Sequence, residues 1–169
     1  MITAIISILL TAIAYADFKD RAVPVFLLLA LLLTSFLNTF LQVDITTALW
    51  QLFTNTALVL LLLGSLLIYY RLKQGSFKEV INQKLGLGDI VFWLAITPLF
   101  SLVNFILFFV SSLLAVLLIM IVRIASGRPV TLVPLAGYQA LVLMVIMIIN
   151  ALFFNHPFSI DLLSFYPNP

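Results

Sequence analysis

Six long apolar stretches separated by short polar segments constrain this chain more than any other feature of its sequence. A helix needs about 20 apolar residues to cross the hydrocarbon of a bilayer. Of the 169 residues, 64% are hydrophobic and only 8% are charged, whereas a soluble domain of this length needs more polar surface. The sequence therefore predicts an all-α, polytopic membrane protein that forms one transmembrane domain over residues 1–169. The predicted spans are residues 2–16, 24–42, 48–70, 87–100, 104–122 and 131–154.

The basic residues all follow the first, third or fifth predicted span, so six spans place them on one side of the membrane. Cytoplasmic loops of membrane proteins are enriched in lysine and arginine. The basic side is therefore predicted to be cytoplasmic, and both termini are predicted to be extracytoplasmic. The residues concerned are Lys19, Arg21, Arg71, Lys73, Lys78, Lys84, Arg123 and Arg128.

Two aspartates stand out because each lies at the cytoplasmic end of a predicted span. Asp17 follows the first span and Asp89 begins the fourth, at similar depth. Carboxylates at such positions are costly unless they are paired or hydrated, which makes them candidates for function. Two facing carboxylates share one proton, so one acts as a base toward water and the other as an acid. The alternatives are that Asp17 is an interfacial helix-end residue and that Asp89 caps its own helix.

Glycines flank the second aspartate, in Gly86-Leu87-Gly88-Asp89. Glycine removes side-chain bulk, so Gly86 and Gly88 allow a second backbone or an extended substrate to approach closely. The sequence contains no cysteine, which excludes thiolate–zinc sites and cysteine nucleophiles. Its one histidine, His156, is predicted to lie on the extracytoplasmic side. No metal and no cofactor are expected.

With these motifs the chain resembles the type IV prepilin peptidase family of GxGD intramembrane aspartyl proteases. The family pairs an aspartate, followed after five residues by Ile-Pro, with a downstream GxGD. Here Asp17 to Pro24 matches the first motif, with Val23 in place of isoleucine, and Gly86 to Asp89 matches the second. The segment Val133-Pro134-Leu135-Ala136-Gly137 is similar to the proline–glycine segment that opens the last core helix of the family.

The resemblance implies an aspartic endopeptidase with Asp17 and Asp89 as catalytic residues, in the cytoplasmic membrane of a prokaryote. Its substrate would be a prepilin-like membrane protein, cut after a basic leader at the cytoplasmic boundary. The chain differs from the family at Val25, where asparagine is usual, and at Val91, where lysine is usual. Without cysteines it more closely resembles the short, peptidase-only members. No nucleic acid partner is expected, and the substrate's identity and the oligomeric state stay open.

Further residues are predicted to shape the site or bind substrate, namely Pro24, Lys84, Pro134 and Gly137, together with Gly86 and Gly88. Lys84 is otherwise a positive-inside anchor. Pro134 either frees backbone groups for an extended substrate or simply begins a helix. Two other functions remain open at this point. One is a non-catalytic scaffold of the same fold, and the other is a proton-coupled transporter, which predicts polar groups near the bilayer midplane.

Overall fold

The computed structural model describes residues 2–74, 86–127, 133–154 and 157–161. Over these ranges the protein is helical and contains no β-strand, which confirms the predicted all-α class. A 3-10 turn, Thr97–Leu99, continues the fourth helix, and a π-helical turn, Asn150–Phe154, continues the sixth. The α-helices are α1 (Ile2–Asp20), α2 (Val25–Phe40), α3 (Ile45–Gln74), α4 (Leu87–Ile96), α5 (Leu102–Ala125) and α6 (Leu135–Ile149).

Four of the helical segments in the described part of the chain are long and apolar enough to cross a membrane. These are Ile2–Asp20, Ile45–Lys73, Leu102–Ala125 and Leu135–Phe153. Two further apolar helices, Val25–Phe40 and Leu87–Leu99, are shorter. A chain with this many apolar helices is a membrane protein. Each of the six predicted spans overlaps one of these six segments.

The first helix continues past Ala16, where the first predicted span ends, to Asp20. Hydropathy falls at Asp17, but no residue there prevents helix formation. The helix ends at Arg21, whose φ of 54° is left-handed and whose N–H donates to the carbonyl of Asp17 at 3.2 Å. Pro24 then disfavours helical geometry at the residue before it. Asp17 therefore lies inside the last turns of α1.

The fourth helix is short because its regular hydrogen bonding stops at Pro98. Proline lacks a backbone N–H, and α4 narrows there into a 3-10 turn. Asn55 of α3 donates its Nδ2 to the carbonyls of Thr97 and Phe100, both at 2.8 Å. Thr39 of α2 donates to the carbonyl of Pro98 at 2.7 Å. Backbone groups at membrane depth must be hydrogen-bonded inside the protein. These side chains bind the carbonyls that lack helical partners around Pro98.

The segment 157–161 is fastened to the same end of the bundle. Asn104 of α5 donates its Nδ2 to the carbonyls of Phe158 at 2.9 Å and Ile160 at 2.7 Å. Gln51 of α3 donates to the carbonyl of Ser159 at 2.6 Å. Amide side chains therefore hold this segment across two helices.

The core is built around an extensive antiparallel pairing of α1 with α6. Small residues let the two backbones approach closely. Ala136 and Ala140 on α6 are fully buried, as are Ile6, Leu10 and Ile13 on α1. This pairing sets the C-terminal end of α1, with Asp17, beside the first turn of α6.

Candidate active site

Two consecutive backbone N–H groups in the first turn of α6 bind the two candidate aspartates. The Ala136 N–H donates to Asp89 Oδ1 at 2.7 Å, and the Gly137 N–H donates to Asp17 Oδ2 at 2.6 Å. The covalent path between successive backbone nitrogens is about 4.3 Å, so these two oxygens lie within about 10 Å of each other. The end of α1 and the start of α4 thus bring both carboxylates to one place.

The start of α6 explains why it accepts two carboxylates. The first four N–H groups of a helix have no partner within it, and the residue before this helix is Pro134, which has no side-chain acceptor to cap them. Asp89 and Asp17 supply the missing acceptors from two other helices. The helix dipole adds to the effect, because it favours negative charge at a helix N-terminus.

Asp17 is buried, with 7% of its surface exposed, and it fits against a glycine. A Cβ atom at position 137 would lie 3.0 Å from Asp17 Oδ2, 3.2 Å from Asp17 Cβ and 3.5 Å from the carbonyl oxygen of Ala14. Gly137 therefore permits the close approach of α1 to α6. Asp17 Oδ1 has no hydrogen-bond partner among the described residues, which leaves it open to water or substrate.

Asp89 lies in the first turn of α4 and is held from two sides. Besides binding the Ala136 N–H, the carboxylate folds back toward Gly86, the residue directly before α4. A residue three positions into a helix commonly reaches back to the N-cap residue in this way. A Cβ at position 86 would lie 3.0 Å from Asp89 Oδ2. Asp89 thus lies against the start of its own helix and binds α6 as well.

The remaining predicted site residues lie near the first motif or outside the described part of the chain. Gly88 faces the first motif, since a Cβ there would lie 3.8 Å from the side chain of Val23. Pro24 directly precedes α2. Val23 thus joins the second motif to the first, away from the carboxylate oxygens. Lys84 and His156 lie outside the described residues.

Tyr138, the next residue of α6, was not singled out in the sequence. Its ring packs edge-on against Phe18, with centroids 4.9 Å apart. Its hydroxyl accepts a hydrogen bond from Arg123 Nη1 at 3.2 Å. Tyr138 therefore links the residue after Asp17 to a basic residue of α5.

Gln139 was missed as well, although it is fully buried. Its Oε1 accepts from Trp93 Nε1 at 2.6 Å, and its Nε2 donates to Ser112 Oγ at 3.1 Å. This amide ties α4 and α5 to α6 directly below the aspartates. The only signal in the sequence was a single glutamine in an apolar span, which is typical of hydrogen bonding between membrane helices.

Comparisons with protein-family models, with curated proteins and with solved structures find no match for this chain. The chemistry that the site offers is that of two carboxylates, each with one oxygen fixed by a backbone N–H. Among the described residues, no group of three or more histidine, cysteine, aspartate or glutamate side chains is arranged to hold a metal ion.

Proposed function

We propose that this protein is a membrane-embedded aspartic endopeptidase that removes the leader peptide of prepilin-like substrates. The observation that carries the proposal is the meeting of Asp17 and Asp89 on consecutive N–H groups of α6. The three segments that resemble type IV prepilin peptidases each contribute to this one place. Asp17 comes from the first, Asp89 from the second, and Gly137 from the third.

The proposed reaction is hydrolysis by an activated water. One carboxylate accepts a proton from a water molecule while the oxygen of that water attacks the carbonyl carbon of the scissile bond. The other carboxyl group protonates the carbonyl oxygen, which gives a gem-diol. The gem-diol then collapses: the C–N bond breaks, the leaving nitrogen takes the proton that the first carboxyl group gained from water, and the second carboxylate takes a proton back from a gem-diol hydroxyl. The N–H groups of Ala136 and Gly137 hold the carboxylates in place for both steps.

The side of the membrane follows from the charges around the site. Lys19 and Arg21 follow Asp17 directly, and Arg123 contacts Tyr138, the neighbour of Gly137. By the positive-inside rule this end faces the cytoplasm. With six spans, both termini then lie outside the cell. The resemblance to type IV prepilin peptidases implies the cytoplasmic membrane of a prokaryote. A substrate with a basic leader before an apolar helix would present its cleavage point at this depth.

The proposal is tested by co-expressing the protein with a prepilin-like substrate and following leader removal by gel shift and N-terminal sequencing. Asp17→Asn and Asp89→Asn are expected to lower cleavage by about 10²–10⁴-fold, the usual contribution of a general acid or base. Asp20→Asn is the matched control, because Asp20 ends the same helix and is exposed, and it is expected to cleave like wild type. Full cleavage by either of the first two variants would refute the assignment.

A second candidate is a non-catalytic scaffold of the same fold. The observation that favours it is that both carboxylates already have a structural role, since they cap α6. A cap needs only a hydrogen-bond acceptor, and asparagine supplies one as well as aspartate does. The two functions therefore differ in what an asparagine substitution does to cleavage.

A further inference from the structure

A cavity lies at the end of the bundle opposite the aspartates. Its volume is about 350 Å³, within the range of small-molecule sites. It is bordered by the first turns of α1, the end of α2 and the end of α6. Ser7, on its wall, is ten residues before Asp17 on the same helix, a distance of about 15 Å. The cavity is therefore separate from the candidate active site.

Part of the cavity wall is polar. Asn38 is the clearest member, because it is only 7% exposed and its amide makes no hydrogen bond to any described residue. Burying an amide without a hydrogen-bond partner is unfavourable. Its donors and acceptor are therefore available to whatever occupies the cavity. The polar groups on this wall are Thr3, Ser7, Asn38, Gln42 and Asn150.

The character of these groups limits the ligand. Hydroxyls and primary amides both donate and accept hydrogen bonds, and none of the described lining residues carries a charge. A charged ligand would be desolvated there without a counter-charge, which is costly. The polar wall therefore suits an uncharged group that carries hydroxyls.

The rest of the lining is mostly apolar and continues onto the outside of the bundle. Leu99 and Met147 are buried there. Ile148, on the rim, is 49% exposed on a helix that is apolar enough to cross a membrane. A chain that leaves the cavity past Ile148 would lie on a lipid-facing surface. The site is thus amphipathic, as the head and chain of a lipid are.

The walls are also held in place. Ser159 donates to Gln42 Oε1 at 3.1 Å, and Gln51 binds the carbonyl of Ser159 at 2.6 Å. Phe158, which lines the cavity, is fixed through its carbonyl by Asn104 at 2.9 Å. A site that exists before its ligand arrives loses less entropy on binding.

We infer that this cavity binds the hydroxyl-bearing head of a neutral lipid, with Asn38 as the principal hydrogen-bonding residue and the acyl chain lying past Ile148. The geometry points to a glycerol or sugar head. The inference does not depend on the proposed peptidase function, because the cavity shares no residue with the aspartate site.

The test is native mass spectrometry of the full-length protein released from detergent micelles, with 1-monooleoylglycerol as the probe. We expect one bound equivalent, with an affinity about tenfold above that of methyl oleate, which has the same chain and no hydroxyl. Oleate and free glycerol complete the series. Tighter binding of oleate would refute a neutral site, and equal binding of methyl oleate would mean unspecific lipid contact.

Variants locate the binding. Asn38→Leu is expected to weaken binding about tenfold. Ala151→Phe is expected to do the same, because it adds a ring to an exposed residue of the cavity lining. Thr34→Val is the matched control on α2, because the Thr34 hydroxyl donates to a carbonyl of its own helix at 2.7 Å. Both Thr34→Val and Asp17→Asn should bind 1-monooleoylglycerol like wild type. Thermal unfolding checks that each variant is folded. If Asn38→Leu does not fold, Ala151→Phe is the deciding variant for lipid binding. The inference would be overturned by unchanged binding in the deciding variant, by no binding to wild type, or by free glycerol binding as tightly as 1-monooleoylglycerol.

Discussion

The two ends of the bundle solve opposite hydrogen-bonding problems. At the candidate active site, the start of α6 offers backbone N–H groups, and they meet the acceptors of Asp17 and Asp89. At the other end, the break at Pro98 releases carbonyls, and they meet the amide donors of Asn55. In each case the side chain matches the backbone group that lacks a partner inside its own helix.

The difference has a chemical consequence. Carboxyl groups exchange protons, so the end that binds N–H groups has the means for acid–base catalysis. Amides stay neutral, so the side chains that bind carbonyls at the other end offer only hydrogen bonds. Polar groups are buried at both ends, but it is carboxylates that bind the backbone at one end and amides at the other.

The largest expected effect on stability is at the amide end. Asn55→Leu keeps the side-chain size but leaves the buried carbonyls of Thr97 and Phe100 without their donor. The free energy of unfolding is expected to fall by about 2–6 kcal/mol, from a cost of about 1–3 kcal/mol for each of the two carbonyls. Thermal or denaturant unfolding in detergent measures it, and the cleavage rate per folded molecule should stay near that of wild type.

The neighbouring residue gives the control for that change. Thr54 bonds the carbonyl of Trp50 in its own helix at 2.9 Å, and such bonds add little to stability. Thr54→Val should therefore unfold like wild type. An Asn55→Leu protein as stable as this control would mean that the freed carbonyls need no side-chain partner.

A smaller loss is expected at the aspartate end from Gly137→Ala. The added methyl would come within 3.0 Å of Asp17 Oδ2 and 3.2 Å of Asp17 Cβ, and such overpacking typically costs about 1–3 kcal/mol. Because it also displaces Asp17, cleavage should fall by about 10²-fold. Gly64→Ala in α3 is the control, since nothing lies within 4 Å of its added methyl. Equal activity of the two variants would show that the contact of Gly137 with Asp17 is unimportant.

The smallest effect distinguishes the two glycines of the GxGD motif. A methyl at Gly86 would reach within 3.0 Å of Asp89 Oδ2, whereas one at Gly88 makes an ordinary 3.8 Å contact with Val23. Gly86→Ala is expected to lower cleavage about tenfold through the position of Asp89, with a smaller loss for Gly88→Ala. Initial rates at matched protein levels measure both. The reverse order would place the substrate on the Gly88 side.

Hydropathy was enough to predict where the helices lie, because a membrane helix must be apolar along its whole length. Asp17 and Asp89 could be identified for the same reason, since carboxylates are rare in such segments. The end of α1 could not be predicted from hydropathy. Helix continuation past Asp17 depends on local backbone geometry at Arg21.

The contacts that assemble the candidate site could not be predicted from the sequence. Gly137 pairs with Asp17 across 120 positions, and no local pattern encodes a contact of that range. Gln139 and Asn38 lacked any motif, since a single amide in an apolar span does not reveal which helix it faces. The segment resembling the family placed Gly137 near the site, but not the N–H groups that bind the carboxylates.

The most direct test of the account compares Asp89→Asn with Asp89→Ala, measuring cleavage and thermal unfolding on the same purified proteins. Asparagine keeps an acceptor for the Ala136 N–H, so we predict near-normal stability with cleavage lowered by about 10²–10⁴-fold. Alanine removes the acceptor too, so it should lose about 1 kcal/mol as well as activity. Near-wild-type cleavage by Asp89→Asn, with only Asp89→Ala impaired, would contradict the account and leave Asp89 as a helix cap alone.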